Sequence, residues 1–146
     1  ADDKPFVLSQ IRKIKDHGFK KDIRIFPEFQ GNKKAEFFNS VDLISVPVRK
    51  YDGYGLYLLE ANIAGVPVVQ PATGAFPEII KNTGGGITYE PDDAVTLAKA
   101  LTDMMKNKQL RIQLGEKGYA GVRSELSLGK MSERLELLYQ RTMNNK

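Results

Sequence analysis

Four short apolar runs, each separated from the next by a stretch with helical periodicity, constrain the fold of this 146-residue chain more than any other feature. They are 22–26 (DIRIF), 43–48 (LISVPV), 66–69 (VPVV) and 87–89 (ITY). Runs this short, rich in β-branched residues and bounded by Gly, Pro or Asp, read as strands. The intervening stretches read as helices. Residues 5–17 carry Phe6, Ile11 and Ile14 among lysines and arginines up to Gly18, and 32–40 carry Ala35, Phe37 and Phe38. Residues 55–64 are closed by Gly65, Pro77 and Glu78 suit a helix start, and Asp92 or Asp93 suits the cap of a helix running to Met105. Helical spacing returns over 109–119 and 128–143, where Leu128, Met131, Leu135, Leu138 and Tyr139 recur. Strands separated by helices need crossover connections, so the expected fold is α/β, a Rossmann-like, doubly wound parallel sheet.

The length suits one domain over 1–146. A sheet of this kind rarely starts on a helix with no strand to pack beside, so one or two leading strands are expected to be missing. Composition narrows the chemistry. With no cysteine and one histidine, a disulfide framework is excluded and a His- or Cys-based metal site is not expected. The net charge of +4 is scattered rather than blocked, and no basic stretch is interleaved with stacking aromatics, so nucleic acid is not an expected partner. No apolar run approaches the roughly 20 residues that span a bilayer, and the start Ala1-Asp2-Asp3-Lys4 lacks a signal-peptide core. The expected location is cytoplasmic.

Ligands of open α/β sheets bind beyond the carboxyl ends of the strands. There the run ending at Val48 feeds Arg49-Lys50-Tyr51-Asp52-Gly53-Tyr54-Gly55, which opens onto a helix. Glycines allow close backbone approach, and the amides of a first helical turn favour an anion such as a diphosphate, although a plain connector reads the same way. Glu60 lies on that helix in the stripe of Leu56, Leu59 and Ile63, expected to be buried in the sheet layer. A buried carboxylate needs partners: an internal Lys or Arg, or paired hydroxyls such as those of a ribose. Asp52, eight positions earlier, suits either a turn or sugar hydroxyls. The segment 71–78 would border the same cleft in turn and capping roles or in ligand contact. His17 suits a helix C-terminus, and Phe37, Phe38 and Tyr139 suit the core.

The ordered series Asp52-Gly-Tyr-Gly-Leu-Tyr-Leu-Leu-Glu60, Gly65, Pro67-Val68-Val69, Gly74, Pro77-Glu78, Gly86 and Pro91-Asp92 resembles the C-terminal lobe of glycosyltransferase family 4 (group 1), over about residues 20–140. The resemblance implies the GT-B architecture, with a nucleotide-diphosphate sugar as donor substrate, no cofactor and no metal. It implies a glycan or lipid-linked acceptor held by an N-terminal lobe absent here, retention of anomeric configuration, and peripheral contact of the parent protein with the inner face of the membrane. It assigns Glu60 to the ribose hydroxyls and Asp52 to the donor sugar, both as catalytic-site residues. Gly53, Tyr54, Gly55 and Leu56 are assigned to the donor diphosphate or sugar, and Pro27, Glu28 and Phe29 to the base. Asp52 stands where the family carries a longer Glu, and the family's basic pair from earlier strands has no counterpart, so this stretch by itself is expected not to turn over. A non-catalytic nucleotide-binding or assembly module of the same fold is the alternative. An unrelated flavodoxin-like receiver or cofactor domain is disfavoured, because the acidic cluster expected for phosphoacceptance is not evident at the strand ends of this chain.

Overall fold

Hydrogen-bond supply decides which of the four runs become strands. In the computed structural model, which describes residues 4–26, 30–48, 55–90 and 92–144 without the side chain of Lys20, β1 (Val68–Pro71) and β2 (Gly86–Tyr89) pair in parallel, with Val68 opposite Gly86 and Pro71 opposite Tyr89. The first pairing starts at Val68, two residues later than the apolar run, because Pro67 has no N–H to donate while Val68 N donates to Gly85 O at 3.0 Å. The run 43–48 makes only a parallel bridge, Ile44 to Val68. Pro47 again lacks a donor, and the Val46 amide turns to the side chain of Gln70, whose Oε1 accepts at 3.2 Å. Three parallel segments therefore lie in the order 44, β1, β2.

Two compact units divide the chain, Ala1–Lys34 and Ala35–Lys146. In the first, α1 (Lys4–Asp16) buries no residue, and His17 Nδ1 lies 2.7 Å from Lys13 O, the expected role at a helix end. The expected strand 22–26 is not one. Asp22 ends a 3-10 turn (Lys20–Asp22) and Ile23 is extended, but no partner segment forms a ladder with it among the described residues. Alternating apolar residues favour an extended chain; a strand requires a neighbour's amides and carbonyls as well.

Strand alternation divides the core of the second unit between two faces. Val68 packs with Leu58 and Ala61 of α3 (Leu56–Ile63), with Phe76 and Ile80 of α4 (Phe76–Thr83), and with Phe38 at the end of α2 (Asn32–Asn39). Val69 and Tyr89 pack with Met104 of α5 (Ala94–Lys106) and Leu114 of α6 (Lys108–Glu125). Helices thus cover both faces, as the doubly wound reading requires. The helix ends are closed by local chemistry. After α3, Gly65 adopts φ +74°, with Gly65 N donating to Asn62 O and Val66 N to Ala61 O, both at 2.9 Å. That pair of bonds is a Schellman motif. Asp93 caps α5 by accepting from Thr96 N at 2.7 Å, a bond that holds its carboxyl below the usual range. At the other end of α5, Arg111 Nη1 donates to Met105 O at 2.6 Å and to Met104 O at 2.8 Å, where it joins the Asn107 amide, so the final carbonyls are satisfied.

α7 (Leu128–Asn144) departs from expectation. Its apolar side is open, and Tyr139, expected in the core, is 62% exposed. Helical spacing produced an amphipathic helix as predicted, but no element among the described residues covers that stripe. Phe38 is buried and Phe37 packs against the same core, as expected.

Candidate functional site

The far end of α3, at Asn62, is hydrogen-bonded to Gly85 before β2, so α3 starts toward the carboxyl edge of the sheet, with Gly55 beside Phe76 and Ile79 of α4. Gly55 begins α3 with φ +53° and ψ 33°, a left-handed conformation that side-chain-bearing residues rarely adopt. It is also walled in. A Cβ at Gly55 would lie 3.1 Å from Ile79 Cδ1 and 3.4 Å from both Leu58 Cδ1 and Phe76 Cε1. Leu58 N donates to Gly55 O at 2.9 Å, so the turn into the helix is formed within the described chain. The helix dipole adds positive potential at this opening. Leu56, at the opening, is 62% exposed.

Glu60 is half-buried, one turn along α3 from Leu56. The expectation that it lies in the sheet layer is corrected. Leu58, Ala61 and Asn62 face the sheet, whereas Leu56 and Ile63, which share Glu60's stripe, are exposed. An all-apolar helix has no sequence signal for which side packs. Here the small Ala61 and the hydrogen-bonding Asn62 are the residues that fit beneath it. Glu60 consequently stands at the margin between core and solvent. Asp52, Gly53 and Tyr54, the candidate base contacts Pro27, Glu28 and Phe29, and Arg49 and Lys50 lie outside the described residues.

In the segment after β1, Ala72 N donates to Tyr89 O at 2.9 Å, Thr73 N to Pro71 O at 2.8 Å and Phe76 N to Thr73 O at 3.3 Å. Pro77 and Glu78 sit in the first turn of α4. The turn role expected of this segment is met, whereas α4 begins after Ala75 with no side-chain cap. Beside the carboxyl end of β2, Pro47, Tyr89, Asp92, Asp93, Ala94 and Leu97 line a cavity of about 250 Å³. Another, of about 180 Å³, lies at the amino edge of the sheet beside Asp42, Pro67, Lys108 and Arg111. Gly55 and Glu60 line neither cavity.

Burial pushes the Tyr89 hydroxyl up to about 12, helped by Asp92, whose Oδ1 accepts from it at 3.3 Å, and by Asp93. The folded-state value exceeds the unfolded one, so this contribution to stability is complete below pH 10 and is lost as pH rises from 10 toward 12. Ultraviolet titration of tyrosinate should show one tyrosine ionising near 12, a phase that Tyr89→Phe removes. A titration in which every tyrosine ionises near 10 contradicts the assignment.

Sequence reasoning passed over two polar residues that the structure buries completely, Asn62 and Gln70. The signal was present: an amide side chain within LLEANIAG and another ending VPVVQ. A polar residue inside an apolar run is a request for partners.

Parallel segments with helices on both faces define a doubly wound α/β protein, with its candidate site at the glycine-initiated start of α3. Residues 3–121 match the profile of the family described as Glycosyl transferases group 1, and the chain belongs to that family. Among curated relatives it is 29% identical over 105 residues to an N-acetyl-alpha-D-glucosaminyl L-malate synthase of Bacillus anthracis, covering 72% of this chain and 27% of the relative. It is 29% identical over 106 residues to a phosphatidyl-myo-inositol mannosyltransferase of Mycobacterium leprae, covering 73% and 28%. The chain thus spans less than a third of the length of these relatives. Among solved structures, the C-terminal domain of a glycosyl transferase group 1 family protein from Francisella tularensis superposes with a TM-score of 0.72 at 25% identity, over 87% of this chain and 65% of that one. A sucrose-phosphate synthase from Thermosynechococcus elongatus shares the fold, with a TM-score of 0.75 at 20% identity over 91% of this chain and 33% of that one.

Proposed function

We propose that this chain is the donor-binding, C-terminal lobe of a family 4 glycosyltransferase. In this reading the enzyme transfers a sugar, with retention, from a nucleotide-diphosphate sugar to a glycan or lipid-linked acceptor held by an N-terminal lobe. The observation that carries the reading is the position of Glu60, half-buried one turn beyond a glycine-initiated helix start at the carboxyl ends of parallel strands. Each part has a chemical task. The amides of the first turn of α3 receive the diphosphate and stabilise the charge that develops on it as the sugar departs. Glu60 accepts hydrogen bonds from both ribose hydroxyls, which a half-buried carboxylate does without leaving an oxygen unmet. Asp52 faces the donor sugar. No helix among the described residues is long and apolar enough to cross a membrane. The reading places the protein in the cytoplasm, with peripheral membrane contact where the acceptor is lipid-linked.

Calorimetric titration of the complete gene product with UDP-, GDP- and ADP-sugars tests it. One of these should bind, and Glu60→Ala should weaken that binding by about tenfold, as expected for lost hydrogen bonds to a charged group. Glu116→Ala, on the exposed side of α6, should leave it unchanged. Equal losses from the two variants, or no binding of any nucleotide sugar, would overturn the reading.

A further inference from the structure

Among the described residues of the second unit, three polar residues are buried: Asn62, Gln70 and Thr83. Asn62 Nδ2 donates to Val66 O at 3.2 Å and Gly85 O at 2.9 Å, and Thr83 Oγ1 accepts from Gly85 N at 3.2 Å. Two atoms of these side chains stay unmet among the described residues, Asn62 Oδ1 and Gln70 Nε2, and of the two only Gln70 Nε2 is a donor. Gln70 Oε1 accepts from Val46 N, which settles the orientation of the carboxamide, and Gln70 Nε2, with two N–H groups to give, has no hydrogen-bond partner among the described residues. The residue is 0% exposed, so water does not supply one at the surface. A buried donor left this way is destabilising, and an apolar side chain of similar shape avoids the penalty.

Its location connects this donor to the site. Gln70 is the third residue of β1 and, by alternation, shares a face with Val68 one pair nearer the carboxyl edge. Val68 packs with Leu58 and Phe76, so Gln70 belongs to the layer between the sheet and the starts of α3 and α4. An anionic oxygen seated at the first turn of α3 is the acceptor that a neutral amide in a dry layer binds most strongly.

We propose that Gln70 is a donor-contact residue, its Nε2 donating to a diphosphate oxygen of the bound nucleotide sugar while its Oε1 keeps the Val46 amide. This rests on the function proposed above. Because the carboxamide is covered, the contact forms as the backbone over it yields when the ligand seats, and the unmet donor favours that shift by regaining a hydrogen bond.

The test uses the complete gene product, with whichever of UDP, GDP and ADP it binds, and the matching nucleoside as a phosphate-free probe. Gln70→Met, similar in shape but without donors, should weaken the nucleoside diphosphate by about tenfold and leave the nucleoside unchanged. Gln70→Glu keeps an acceptor for the Val46 amide while replacing the N–H2 by oxygen, and should lose at least as much. Should one variant fail to fold by circular dichroism, the other still decides. Equal losses for nucleoside and nucleoside diphosphate, or a shifted Tm with unchanged diphosphate affinity, would show a merely structural glutamine and overturn the proposal. If Gln70 fails in this way while Glu60→Ala still weakens nucleotide-sugar binding, only this inference falls. If the wild-type protein binds no nucleotide, both fall.

Discussion

Replacing Gly115 or Gly121 by alanine is expected to destabilise the second unit by about 3 kcal/mol each, although on an exposed helix the same change stabilises by roughly 1 kcal/mol. The reversal comes from what α6 lies against. An added Cβ at Gly115 would overlap the carbonyl oxygen of Gly65, and one at Gly121 would overlap the carbonyl oxygen of Thr83. Both obstacles are backbone, at the C-terminal ends of α3 and α4, and no rotamer change removes them. Between them, a Cβ at Gly118 would lie 2.8 Å from Asn62 Cγ and 2.9 Å from Gly85 Cα. The three glycines share one side of α6 and let it cross two helix ends at backbone contact. Gly129 provides the control. Its Cβ would meet nothing nearer than Ser127 Oγ at 4.0 Å, so Gly129→Ala should be neutral or stabilising by up to about 1 kcal/mol. Urea unfolding of the four proteins, wild type included, gives the comparison. Unmoved midpoints for Gly115→Ala and Gly121→Ala would mean that the crossing is looser than described.

Asn62→Asp is expected to destabilise by about 4 kcal/mol at neutral pH, more than Asn62→Ala, at roughly 2–3 kcal/mol. Asn62 is fully buried, and its two N–H donors serve Val66 O and Gly85 O. It thereby joins the end of α3 to the entrances of both β1 and β2. Alanine leaves those carbonyls short of a donor and opens a void. An ionised aspartate does worse, since it directs a negative oxygen at two carbonyl oxygens in a dry setting. The aspartate's pKa is therefore raised in the folded state, and the sign follows. The Asp-specific destabilisation is absent below the unfolded value of about 4 and grows as pH rises toward the folded one. Unfolding free energies of the two variants should converge on acidification and diverge toward neutrality. An Asp variant with the same pH profile as the Ala variant would disprove the electrostatic account.

The site was legible where sequence features act locally. Gly55 before LYLLEANIAG already indicated a tight entry into a helix, and φ +53° at that residue is the structural form of that indication. Gly65 and Asp93 close their helices where expected because a cap is satisfied by residues three or four positions away. The side of α3 on which Glu60 sits was not legible. Leu56, Leu58, Leu59 and Ile63 are equally apolar, so no moment distinguishes the packed side, and contacts of Ala61 and Asn62 with distant segments decided it. Runs 22–26 and 43–48 were overread for a related reason, since their composition favours extension while pairing depends on a partner's free amides.

Sequence alone therefore determined the order of the elements, their caps and the family's spaced acidic and glycine series, all properties of short windows of chain. Tertiary structure alone decided which extended runs became a sheet, which face of α3 was covered, and why Gly115, Gly118 and Gly121 must lack side chains. Each of those depends on what a distant segment places within a few ångströms, and the hydropathy of a residue carries no record of its neighbour across the fold.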